Sequence, residues 1–216
     1  MTHITAAFLA VIVGLFPIVN PLGMTPIFMR LTEGCSEELR GKLAFRIGVG
    51  CFFLMAASLF VGSHILSFFG LTIPAVQVAG GLVVTASGWR LLQQGDDSHS
   101  REQQNKVPDD VVLDRAFFPL TLPLTVGPGT ISVAITLGAK GADPDLFWEY
   151  SSGALLGVLA VSLSIFICYR FSAWVLGKLG QGGTDVVLRL SAFVLLCLGV
   201  QIVWNGYSAL MSVGHS

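Results

Sequence analysis

Residues 16–26, FPIVNPLGMTP, place three prolines within ten residues of an apolar stretch, and a similar stretch, FPLTLPLTVGP, occupies residues 118–128. The two align at a constant offset of 102, which matches Phe, Pro, Pro, Leu and Pro in order. Proline removes a backbone donor and crowds the carbonyl four residues earlier, so neither stretch is expected to form a continuous helix. The sequence therefore predicts two helix breaks at equivalent positions of an internal repeat.

The composition around these stretches is that of an integral membrane protein. Of the 216 residues, 53% are hydrophobic and only 12% are charged, whereas a soluble domain carries about 25% charged residues. So few charges cannot cover a globular surface, which excludes a soluble enzyme and a disordered scaffold. A formal net charge of −1 provides no basic footprint, so we predict the lipid bilayer as a partner and no nucleic acid.

Six apolar segments are long enough to cross a bilayer, whose core requires about 20 residues per helix. They are predicted at residues 5–29, 43–69, 73–92, 117–139, 147–171 and 186–210. Tyr150 and Tyr169 are separated by about 28 Å of helix, so they are expected to anchor the fifth segment at the two membrane interfaces. The predicted fold is thus all-α, with six transmembrane helices.

The basic residues predict the orientation of these helices. Eleven of the twelve Lys and Arg residues fall in the loops after the first, third and fifth segments, and the opposite side has only Lys140. By the positive-inside rule the three basic loops are cytoplasmic. Both termini are therefore predicted to lie outside.

The polar stretch 95–107, GDDSHSREQQNKV, divides the chain. We predict a first three-helix repeat at 1–95, a cytoplasmic linker at 96–116 and a second repeat at 117–216. A three-helix unit begins and ends on opposite sides of the membrane, so its second copy enters inverted. Inverted repeats with broken helices are typical of secondary transporters, which work by alternating access. The alternative is an ion channel, or another small-solute exporter of the same architecture.

The two predicted breaks, in the first and fourth helices, are expected to line a central cavity, because unwound backbone is tolerated in a membrane only beside protein or water. Each helix is predicted to restart with Pro26 or Pro128 as its first residue and Thr25 or Gly127 as its N-cap. Free N–H groups there suit a carboxylate, and free carbonyls of the preceding half-helices suit an ammonium group. A zwitterion satisfies both, and no fixed charge is expected in the site.

The candidate site residues lie near the breaks. Substrate binding is predicted for Asn20, Gly23, Thr25, Thr121, Thr125, Gly127, Gly129 and Thr130, and a hinge or break role for Pro17, Pro21, Pro26, Pro119, Pro123 and Pro128. Each threonine has the alternative of bonding back to its own helix.

Proton coupling has one candidate side chain in the sequence. All thirteen acidic residues fall in loops or at segment ends, so no carboxylate relay is visible in mid-membrane. His64 is the ionisable residue inside a segment and the candidate for proton coupling, with a purely structural histidine as the alternative. Arg90, near the end of the third segment, is predicted to extend to the membrane interface.

The sequence contains no pattern of an enzyme, a cofactor or a metal site. It lacks a CxxC pair, paired intramembrane histidines that would hold haem, and an HExxH-type motif. We therefore predict a protein that is not an enzyme and that has no catalytic residue, cofactor or metal.

Four segments, FPIVNPLGMTPIF, VAGGLVV, PLTLPLTVGPGTI and VQIVWNGY, resemble the MarC family of bacterial inner-membrane proteins. The resemblance covers nearly the whole chain. It implies a multi-pass protein of the bacterial inner membrane with six helices, N-out and C-out, that transports small neutral amino acids such as glycine and alanine. It also implies coupling to the proton gradient, which no buried acid in this sequence explains.

Overall fold

The computed structural model describes residues 3–32, 34–93, 113, 116–141 and 146–213, and all regular structure in these ranges is helical. The helices are α1 His3–Val19, α2 Pro21–Leu31, α3 Glu37–Phe68, α4 Ile73–Gln93, α5 Ala116–Thr125, α6 Pro128–Ala139, α7 Phe147–Arg170 and α8 Ser172–Val213. The predicted linker 96–116 lies outside the described residues, except for Leu113 and Ala116.

Five helical stretches are long and apolar enough to cross a membrane: His3–Met29, Glu37–Phe68, Ile73–Gln93, Phe147–Arg170 and Gly182–Ser212. The bent pair α5 and α6 makes a sixth if it counts as one span. In α8, Gly180 has a φ of 63° that favours glycine, and the candidate span begins after it. The prediction of an all-helical membrane protein is confirmed, with five to six candidate spans.

A single residue, Asn20, separates α1 from α2. Its φ of 49° is the one positive φ at a non-glycine residue in the described part of the chain, and Asn tolerates this conformation better than most residues. Helical hydrogen bonding resumes on either side, because Asn20 N donates to Phe16 O at 2.9 Å and Met24 N donates to Asn20 O at 3.0 Å. The interruption is therefore short, and α2 follows α1 directly.

The α5 segment is irregular throughout. Its backbone leaves the helical region at Phe118, with φ −123° and ψ 124°, and at Leu122, with φ −117° and ψ 125°. The hydroxyls of Thr121 and Thr125 each donate, at 2.8 Å, to a carbonyl five residues earlier. These side chains hold the wide π-type turns together. The axis of α5 then meets that of α6 at 71°.

The helices pack between the two halves of the chain rather than within them. The extensive pairings are α4 with α8, α1 with α7, and α3 with both α6 and α7. Glycines permit the closest approaches: a Cβ at Gly88 would lie 2.6 Å from Leu196 N, and one at Gly199 would lie 2.4 Å from Thr85 N. Such small residues let membrane helices pack backbone to backbone. Neither residues 3–93 nor residues 116–213 enclose an interior of their own.

Candidate functional site

A partly open cavity of about 410 Å³ lies where the α1–α2 junction, the α5–α6 junction and one face of α4 come together. Its lining includes part of the predicted site, namely Asn20, Thr125, Gly127, Gly129, Thr130, Pro123 and Pro128. The structure thus brings together two segments that are about a hundred residues apart in sequence.

The start of α2 corrects one prediction. Pro26 was expected to begin the helix and Thr25 to cap it, but α2 begins at Pro21 and contains both residues. The cap is Asn20, whose Oδ1 accepts a hydrogen bond from Gly23 N at 3.1 Å. A side-chain acceptor at the N-cap followed by proline at the first helical position is a favoured helix start. The dipeptide Asn-Pro carried this signal in the sequence.

The start of α6 agrees with its prediction. Gly127 is the N-cap, with φ −88° and ψ 176°, and Pro128 is the first helical residue. The first hydrogen bond of the helix runs from Ile131 N to Gly127 O at 3.1 Å, so the N–H groups of Gly129 and Thr130 precede it. A helix N-terminus leaves such donors free and carries a partial positive charge. Both residues line the cavity.

Two polar side chains at the cavity have unused hydrogen-bonding capacity. Asn20 is half-buried, but its Nδ2 atom is buried and has no partner among the described residues; its identity as nitrogen follows because Oδ1 accepts from Gly23 N. Thr130 is 3% exposed and makes no side-chain hydrogen bond within the described residues. A buried unsatisfied donor costs about 1–3 kcal/mol. Such a cost is offset when a ligand supplies the missing acceptor.

Arg90 lines the cavity, which the sequence did not predict. It shares one face of α4 with Val83 and Ser87, which also line the cavity and precede it by seven and three residues. No Asp or Glu of the described part of the chain belongs to the lining. The cavity lining thus contains a charge that was not expected from the sequence. Arg90 is also exposed in the last turn of α4, which agrees with its predicted extension to the membrane interface.

The remaining candidates lie away from this lining. Thr25 is fully buried and its Oγ1 donates to Pro21 O at 2.8 Å, which is the alternative of bonding back to its own helix. Thr121 is also buried and bonded within α5, and Gly23 is buried at the start of α2. His64 is exposed on α3. Pro17 belongs to α1, and Pro21 and Pro26 belong to α2; none of these three lines the cavity. Pro119 belongs to α5.

Behind the cavity, Tyr169 of α7 connects α5 to α2. Its hydroxyl lies 3.0 Å from Thr125 Oγ1, and its ring stacks on Phe28, with centroids 4.4 Å apart and planes at 6°. Because Thr125 Oγ1 donates to Leu120 O, the tyrosine hydroxyl is the donor to Thr125. Tyr169 is 0% exposed, so its predicted role as an interfacial anchor is wrong.

The fold and the cavity together define a multi-pass, all-helical membrane protein. A family model described as MarC family integral membrane protein matches residues 5–211. The chain therefore belongs to the MarC family, as the resemblance of its proline-rich segments implied.

Curated relatives agree with this assignment. The chain is 30% identical over 212 residues to UPF0056 inner membrane protein MarC of Salmonella typhimurium, and 30% identical over 210 residues to the protein of that name in Escherichia coli O1:K1 / APEC. Each alignment covers 94% of this chain and 95% of the relative. No solved structure matches the chain. The protein is thus a multi-pass protein of the inner membrane.

Proposed function

We propose that this protein transports small neutral amino acids such as glycine and alanine across the inner membrane by alternating access. The observation that carries the proposal is the cavity in which the N-terminus of α6 and the unpartnered Asn20 Nδ2 meet. In a membrane protein, such a meeting of two interrupted helices is a typical substrate site.

Each end of a zwitterion has suitable partners in this cavity. The carboxylate is placed at the N–H groups of Gly129 and Thr130, where the dipole of α6 favours negative charge. The ammonium group is placed at the C-terminal end of α1, where Ile18 and Val19 line the cavity. Next to these residues Pro21 has no N–H to donate, so the carbonyl of Pro17 lacks its helical partner, although Pro17 itself lies outside the cavity lining. Backbone groups thus supply most of the proposed contacts.

The packing pattern supports two inverted repeats with broken first and fourth helices. Exchanging α1 with α5, α2 with α6, α3 with α7, and α4 with α8 converts the α1–α7 pairing into α5–α3, and the α4–α6 pairing into α8–α2. All of these pairings occur, and α4–α8 and α3–α7 convert into themselves. Two halves related by a two-fold axis in the membrane plane produce this pattern. At the offset of 102, the interruption at Asn20 then corresponds to the non-helical Leu122 of α5.

Uptake into proteoliposomes tests the proposed transport. Vesicles that contain the purified protein and an internal pool of unlabelled alanine should accumulate labelled glycine or alanine by exchange. Alaninamide and alanine methyl ester lack the free carboxylate and should fail to compete. Equal competition by alanine and its ester would contradict the zwitterion site, and an absence of exchange with every small amino acid would contradict the function.

We also propose that both termini face the periplasm. The basis is the distribution of the basic residues, eleven of twelve on one side. Reporters active only in the periplasm or only in the cytoplasm should show opposite compartments when they are fused after Gly95 and at the C-terminus. The same compartment at both positions would contradict the six-helix topology and the inverted repeat together.

Replacing Thr25 with Val should leave the uptake per folded molecule unchanged. The Oγ1 atom of Thr25 is used within α2 and lies outside the cavity lining, so its loss is expected to reduce stability by about 1 kcal/mol only. Thr130→Val is the matched comparison, because Thr130 is similarly buried but lines the cavity. It should reduce uptake. Thermal unfolding and uptake by the same preparations measure both effects. Lower uptake by Thr25→Val than by Thr130→Val would exclude the placement of Thr130 in the substrate site and of Thr25 outside it.

A further inference from the structure

We propose that Arg90 and the N-terminus of α6 form a carboxylate site that accepts small monocarboxylates without an amino group, such as propionate. This inference rests on the proposed function, because it concerns the same cavity, and it extends the class of ligand. The first observation is the charge of the lining: among the described residues, Arg90 is its one ionised side chain and none of the others is acidic.

Arg90 lies on α4, the helix that packs against the start of α6. These two helices pack together, and a Cβ at Gly129 would contact Val84 Cγ2 at 2.0 Å and Gly80 O at 3.2 Å. Arg90 lies six residues beyond Val84, about 9 Å further along the helix axis. The guanidinium therefore belongs to the same cavity as the N-terminus of α6 but approaches it from another wall.

The hydrogen-bond donors of the cavity include a charged group, whereas its acceptors are neutral. Donors come from the guanidinium of Arg90, from Asn20 Nδ2, which is buried and has no partner, and from the N–H groups at the start of α6. Acceptors for an ammonium group come from backbone carbonyls, and the lining side chains that the structure describes include no carboxylate. The carboxylate end of an amino acid thus has charged and neutral partners, whereas its ammonium end has only neutral ones.

Arg90 itself makes no ion pair or hydrogen bond within the described residues. Arg90 is exposed in the last turn of α4, so a carboxylate can reach its guanidinium, although solvent screens part of their attraction. The planar guanidinium also matches the two oxygens of a carboxylate. Binding energy from the anion alone is therefore expected to be sufficient for a ligand that lacks the amino group.

The experiment uses two analogues of alanine, each of which lacks one charged group. Full-length protein in detergent is titrated with propionate and with ethylammonium, each in competition with labelled alanine. Propionate should compete and ethylammonium should not. Arg90→Gln should weaken propionate binding by about 10-fold or more, and Arg90→Lys by less, because lysine keeps the charge but not the fork.

Arg189→Gln is the matched control, since Arg189 is an exposed arginine on α8 outside the cavity lining. It should leave propionate binding unchanged, and thermal unfolding should show that all three variants are folded. Competition by ethylammonium but not propionate, or equal effects of Arg90→Gln and Arg189→Gln, would overturn the proposal while leaving alanine transport intact. Direct binding of propionate by a protein that neither binds nor exchanges alanine would support the carboxylate site and reject the proposed function.

Discussion

The Asn20→Asp variant is expected to lose substrate binding by about 100-fold or more while it remains folded. Asp keeps an oxygen for the hydrogen bond from Gly23 N, and it tolerates a positive φ nearly as well as Asn. The change replaces Nδ2, the buried donor without a partner, by a negative oxygen. Repulsion between this buried oxygen and a ligand carboxylate costs several kcal/mol.

The Asn20→Gly variant distinguishes the contribution of the Asn20 side chain to binding from that of the backbone conformation at this position. Glycine adopts the φ of 49° seen at this position without strain, and it costs only a few tenths of a kcal/mol as an N-cap. We expect weaker binding than in the native protein but much stronger binding than in Asn20→Asp. Titration with alanine and thermal unfolding measure the two quantities. Native affinity in Asn20→Asp would exclude Nδ2 from the substrate site.

The two glycines beside Pro128 are expected to respond differently to a larger side chain. A Cβ at Gly129 would lie 2.0 Å from Val84 Cγ2, so Gly129→Val should reduce the stability of the fold by about 3 kcal/mol or more through overpacking. A Cβ at Gly127 would approach only Pro123 O, at 3.3 Å. Gly127→Val should therefore fill cavity space and abolish uptake, with a smaller loss of stability.

A second substitution, at Val84, tests whether its contact with residue 129 causes the loss of stability. Gly129→Ala should be destabilised by its clash with Val84, and adding Val84→Ala should recover part of the loss, since that change removes the clashing methyl group. Thermal unfolding of the two single variants and the double variant yields the coupling energy. Additive effects would show that Gly129 does not limit the approach of α6 to α4. Stable but inactive Gly129→Val would instead support a role in binding.

The bounds of two membrane segments could be predicted closely from the sequence, whereas α3 begins at Glu37, six residues before the predicted start at residue 43. Apolar length is a property of the chain itself, so the predicted segments 73–92 and 147–171 differ from Ile73–Gln93 and Phe147–Arg170 by one residue at one end. The restart of α6 was also predictable, because Gly-Pro-Gly permits few alternatives. The restart of α2 was misplaced by five residues, because its start depends on the hydrogen bond from Gly23 N to Asn20 Oδ1.

The orientation of individual side chains could not be predicted in the same way. Both faces of a membrane helix are apolar, so hydrophobic periodicity does not identify the inward face. Arg90 lines the cavity because α4 is rotated by its glycine contacts with α8, which involve Gly88 and Leu196. Tyr169 has the composition and spacing of an interfacial anchor, yet Phe28 and Thr125 cover it completely. Contacts between distant segments decide both positions.

Packing that joins helices from opposite ends of the chain has a consequence for biosynthesis. The extensive pairings of α1, α3 and α4 are with helices of residues 116–213. At about 5–20 residues per second, a ribosome needs roughly 5–20 s to make this second part. During that interval the glycine-rich side of α4 has only lipid or the insertion machinery as its neighbour. Nascent chains that end before α8 should therefore be recognised as incomplete and degraded.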